Sequence, residues 1–166
     1  MVYVVHKMRL IKNRILIVLL IFLTTLYGCS NGINDKKITV LISEEIIKSI
    51  NKDDDSILIS LFCDYVKSQE IFNIEVKNFL DFIDGTIESY DIVWNGSEEQ
   101  KENGKIKFLN IAGQIINIET NVGNKYKINF ALNYINKQHQ TKEGLYIISV
   151  TNLINNNKAI LGYSIY

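Results

Sequence analysis

Phe79-Leu80-Asp81-Phe82-Ile83-Asp84-Gly85-Thr86-Ile87-Glu88-Ser89-Tyr90-Asp91-Ile92-Val93-Trp94 is where the periodicity of this 166-residue chain changes. Before Gly85, apolar Ile74, Phe79, Leu80, Phe82 and Ile83 alternate with Glu75, Lys77, Asn78 and Asp81 at helical spacing. Asp84-Gly85 ends that helix, because a residue without Cβ enters the left-handed conformation at no steric cost. From Ile87 to Trp94 the residues are β-branched and aromatic, which predicts a strand. The chain turns from helix to sheet here.

Upstream, Ile38, Leu41, Ile42, Ile46 and Ile50 fall at steps of three or four, opposite Glu44, Glu45, Lys48 and Asn51. Asp53-Asp54-Asp55-Ser56 then supplies an N-cap whose negative charge suits the positive end of a helix dipole. Three adjacent aspartates lack the spaced ligands and downstream Glu of a calcium loop. The capped helix is expected to bury Ile57, Leu58, Leu61, Phe62, Tyr65 and Val66.

Downstream, Asn95 to Gly104 reads as a polar loop with turn residues at both ends. Lys105 to Thr120 is a long Ile-rich strand, and Asn121-Val-Gly-Asn124 a turn. Tyr126, Ile128, Phe130, Leu132 and Tyr134 alternate with polar or small residues at period two. Asn136 to Glu143 joins this strand to Leu145–Val150, and Asn155-Asn156-Asn157 leads to a last strand over Ala159–Tyr166. Helices followed by hairpin-connected strands predict an α+β fold, with N-terminal helices packed on a curved antiparallel sheet. That single domain is expected over residues 38–166.

The front of the chain reads differently. Lys7, Arg9, Lys12 and Arg14 precede the apolar run from Ile15 to Leu23, with no acid among them. A basic stretch, an apolar stretch and a small residue, in that order, describe a secretory signal peptide over residues 1–28. Ile15 to Gly28 would span about 21 Å as a helix, short against a bilayer core of about 30 Å. Met1 and Met8 are alternative starts. Leu26-Tyr27-Gly28-Cys29 resembles the bacterial lipobox, which implies cleavage before Cys29 and its lipidation, with 29–37 as a tether. Tyr27 departs from the small residue usual at its position. Two acyl chains on Cys29 would give stable anchoring at the extracytoplasmic face of the membrane.

Composition adds exclusions. Hydrophobic residues make up 47% and charged residues 22%, with no Pro and a net charge of zero. Residues 29–166 carry 14 Lys against 18 Asp and Glu, a net −4, and no Arg. Such a body is a poor nucleic-acid binder. Ile occurs 29 times and Asn 19 times, a bias toward AT-rich codons that points to a low-GC Gram-positive source.

Phe82-Ile83-Asp84-Gly85, Thr86-Ile87-Glu88-Ser89-Tyr90, the Thr120/Gly123/Tyr126/Ile128/Phe130 pattern and Glu143-Gly144-Leu145-Tyr146 together resemble a family of uncharacterised Gram-positive lipoproteins. The resemblance implies a nuclear-transport-factor-like cone over residues 38–166, a curved sheet wrapped around one long and two shorter helices. It brings no assigned activity. A cone opens between sheet and helices, so Tyr90, Trp94, Tyr126, Tyr134, Asp81 and Asp84 are the candidate cavity-lining residues. The bland alternative is core packing for the aromatics, and an exposed face and helix terminus for the aspartates.

Catalytic groups are few. His139 is the one His after residue 29, too little for a zinc site of three or four ligands. Cys63 reads as a small core hydrophobe rather than a nucleophile. No catalytic residue, metal or cofactor is assigned. The expectation is non-catalytic binding of a protein partner, for example as an immunity factor against a toxin. The alternatives are a small apolar ligand in the cone or, third, an isomerase or dehydratase.

Overall fold

The computed structural model describes residues 33–163. The expected signal peptide, the expected lipidation site at Cys29, most of the expected tether and the last three residues of the expected final strand lie outside them. The chain divides into two units, Met1–Asn34 and Asp35–Tyr166, and every element below belongs to the second. Four helices come first: α1 (Asp35–Lys52), α2 (Asp55–Leu61), α3 (Asp64–Lys67) and α4 (Phe72–Asp81). Five strands follow: β1 (Ile87–Glu102), β2 (Lys105–Thr120), β3 (Lys125–Asn136), β4 (Gly144–Asn152) and β5 (Lys158–Gly162). The strands form one antiparallel sheet in sequence order, so β1 and β5 are its edges. The fold is α+β. Four register shifts in the β1–β2 pairing, two in β2–β3 and one in β3–β4 bend the sheet, as bulges do.

The helices cover one face. That face carries Leu109, Ile111, Ile115, Ile118, Ile128, Phe130 and Leu132, all closed to solvent. α1 buries Ile38, Ile46 and Ile47 together with Thr39, Ser43 and Ser49. The small residues let the helix approach closely. A Cβ on Gly113 would stand 2.4 Å from Phe130 Cζ and 2.8 Å from Thr39 Cγ2, so only Gly fits there. Thr39 and Ser49 each donate to an α1 carbonyl, Asp35 O and Ile46 O, at 2.9 Å. Leu41, expected in the core, is exposed because the buried stripe runs through Thr39 and Ser43 instead.

The capped helix is two helices. Asp54 accepts the Ser56 and Ile57 N–H groups as expected, and its carboxyl is held below its usual range, first by the Ser56 hydroxyl. α2 stops at Phe62 because the sheet competes for that backbone. Cys63 N–H donates to Leu145 O at 2.9 Å, and Phe62 bridges Leu145 in parallel. Tyr65, expected inside, is consequently exposed on α3, while Phe62 stacks edge-on against Phe72 with centroids 5.1 Å apart. Ile74 also faces solvent, whereas Phe72, Val76, Phe79 and Leu80 fill the buried side of α4.

The expected loop over Asn95–Gly104 is strand as far as Glu102. The turn is Asn103-Gly104, both at positive φ, the geometry of a two-residue hairpin. Charged, exposed side chains masked a strand that is held by pairing with β2 on one side.

Candidate functional site

Strand register sorts the side chains of β1 and β2 onto two faces. Trp94 pairs with Gly113 and Ile92 with Ile115, which puts Trp94 and Ile92 on the helix-covered face. There the first turns of α1 meet the edge strand around a cavity of about 330 Å³, lined by Lys36, Thr39, Val40, Ile92, Val93 and Trp94. Trp94 is 39% exposed, with the Lys36 ammonium 5.5 Å from its ring centroid. Ser97 donates to the Asp35 carboxylate and fixes the helix start against β1. At the other end of α1, the Asn51 carboxamide accepts from Ile87 N–H at 2.8 Å and donates to Ile87 O at 3.0 Å. These contacts tie both ends of α1 to β1. Val40, 39% exposed, carries its apolar lining to the surface.

The other candidate residues lie elsewhere. Tyr126 is 1% exposed and packs edge-on against Phe82, its hydroxyl accepting from Asp84 N–H at 3.1 Å. Asp81 is exposed on α4, and the exposed Asp84 accepts from Asn124 Nδ2 at 3.2 Å. The two aspartates line neither this cavity nor the cleft described below. Tyr90 sits among the β1 register shifts, partly exposed. Tyr134 is 45% exposed because the β2–β3 register slips between Leu109/Ile135 and Asn110/Asn133, turning Tyr134 out of the alternation that Tyr126 begins. Of the six, Trp94 alone lines the cavity between helix and sheet.

Across the sheet lies a polar cleft of about 260 Å³, lined by Glu98, Gln100, Lys107, Phe108, Asn133, Asn136, Gln138, His139 and Lys142. Reading Asn95–Gly104 as loop hid it. Extended to Gln100, the alternation of β1 sets Glu98 opposite Asn110 and Gln100 opposite Phe108.

Among the described residues no group of three or more His, Cys, Asp and Glu could hold a metal ion. No described helix is long and apolar enough to cross a membrane. The Cys63 thiol is buried, and desolvation pushes its pKa up, outweighing the backbone N–H groups of Val66 and Tyr65. A neutral, enclosed thiol is not a nucleophile. The Trp94 cavity offers apolar area, an indole and one cation. It can bind; it holds no acid–base pair.

No curated protein matches this sequence. A family profile described as a domain of unknown function, DUF5104, matches residues 45–155. The chain belongs to that family.

Proposed function

We propose that this chain is a lipoprotein anchored through Cys29 at the extracytoplasmic face of the cell membrane of a Gram-positive bacterium. Its cone-like domain, of the nuclear-transport-factor type, binds a protein partner without catalysis. A toxin to be neutralised is one such partner. The observation that carries this reading is the exposed apolar surface beside edge strand β1: Trp94 and Tyr90 on the strand and Val40 on α1. Exposed aromatics on a rigid scaffold are the anchors of protein interfaces. An edge strand also offers unpaired backbone groups to an incoming chain.

A small apolar ligand is the second reading, favoured by the size of the Trp94 cavity, at the low end for ligand pockets. Native mass spectrometry of the full chain in detergent separates the two. A protein-binding surface gives a bare protein mass. A small apolar molecule that co-purifies with the native chain and is lost in Trp94→Ala would replace the first reading with the second.

A further inference from the structure

Trp94 ends a short regular stretch of an edge strand. The β1–β2 register shifts between Ser89 and Asp91 and again between Trp94 and Gly96. Between those shifts Asp91, Ile92, Val93 and Trp94 pair in step with Ile116, Ile115, Gln114 and Gly113. β1 has a neighbouring strand on one side only, so alternate N–H and C=O groups of this stretch face away from the sheet. Upstream, the Asn51 carboxamide already takes the N–H and C=O of Ile87. Downstream, Ser97 is joined to Asp35 at the start of α1. Between these two ties, Asp91–Trp94 is the stretch to which another strand can be added in register.

The first turns of α1 lie beside this stretch and make the edge one wall of a groove. Ile92 and Trp94 face the helix. Val93, turned the other way by alternation, still borders the cavity, so the cavity opens along the main chain of the strand. The Thr39 hydroxyl in its wall donates to Asp35 O at 2.9 Å. The rest of the lining is apolar apart from one charge, the Lys36 ammonium 5.5 Å from the indole centroid. No acid lines the cavity: Asp35 accepts from Ser97, and Asp91, on the other face of β1, accepts from Asn117 Nδ2 at 2.7 Å. A volume of about 330 Å³ has room for a large apolar side chain. The lone cation on the wall favours a carboxylate beside that side chain and disfavours an ammonium. An extended peptide segment meets all three requirements at once, with main chain for the edge, a side chain for the cavity and an acid for Lys36.

We propose, resting on the protein-binding reading of this edge, that the partner enters as a short extended acidic segment. It pairs with β1 over Asp91–Trp94, sets one large apolar side chain in the Trp94 cavity and brings a carboxylate to Lys36. The test is selection of a displayed random-peptide library on the full chain in mild detergent, followed by affinity measurements with the synthetic peptides it yields. Selected peptides are expected to carry a large apolar residue beside an acid and to weaken about tenfold on Trp94→Ala. Lys36→Glu should weaken them about tenfold too, and should itself select peptides with Lys or Arg in place of the acid. Lys36 is exposed in the first turn of α1, where a Glu suits the helix dipole, so that variant keeps the fold. N-methylation of alternate peptide amides should abolish binding in one register and spare it in the other, as strand pairing requires. Trp94-dependent peptides that bind Lys36→Glu unchanged, or that tolerate N-methylation at every amide, overturn the acidic strand and leave the protein-binding reading standing. A selection that yields only Trp94-independent peptides overturns it as well, and a dimer of the chain abolished by Trp94→Ala would give the groove to a second copy. Cross-linking from Val40 on intact cells, which needs no extended segment, tests the protein-binding reading apart from it.

Discussion

Asn51 directs both ends of its carboxamide at the backbone of Ile87, doing for the first residue of the sheet what a neighbouring strand would do. Asn51→Ala leaves that N–H and C=O partly buried and unpaired, a loss of about 1–3 kcal/mol. Chemical denaturation is expected to show a lower midpoint with an unchanged slope. Cys63 makes a different kind of contribution. Its folded-state pKa lies above the unfolded one, so its stabilisation is complete at neutral pH and is lost as pH rises beyond the ordinary thiol value of about 8.5. In iodoacetamide labelling followed on the Cys63 peptide, the native chain should react far more slowly than the denatured chain. The denaturation midpoint should fall on the alkaline side and not between pH 6 and 8.

The β1–β2 ribbon outruns the sheet. Pairing of β2 with β3 ends at Phe108/Asn136, so the hairpin tip around Asn103-Gly104 is held by its own two strands. Replacing Asn103-Gly104 by Ala-Ala opposes positive φ at both positions. Hydrogen exchange should then quicken over residues 101–106, with the amides of Ile111, Ile128 and Ile148 as protected as before. The ribbon also marks what was legible in the sequence. Strands with one apolar face, such as Tyr126–Leu132, announce themselves by alternation. Glu98 to Glu102 do not, because both faces of that stretch are polar or exposed and pairing alone makes it a strand. The α2–α3 break was hidden for a related reason: helical spacing runs through Phe62-Cys63, and only the distant carbonyl of Leu145 ends it. Of the candidate site, Trp94 was legible as an aromatic on a strand. Lys36, Thr39 and Val40 were not assigned to it, since that depends on how α1 crosses β1.

Along the whole sequence, charge is divided between a basic front and an acidic body. Residues 29–166 carry −4, and the basic, apolar front ends at the proposed lipidation site. Cys29→Ser is expected to move the protein from the membrane fraction into the soluble one, since two acyl chains supply what a short apolar segment cannot. The domain presents two faces: an apolar edge around Trp94 and the polar cleft across the sheet. The account stands most directly on the first. A photo-crosslinking residue placed at Val40 or Tyr90, flanking Trp94, in the full chain on intact cells should yield one discrete protein adduct that Trp94→Ala abolishes. The same probe at Tyr134 should yield none. No adduct from either flanking position, or equal adducts from all three, would contradict a protein-binding surface at this edge.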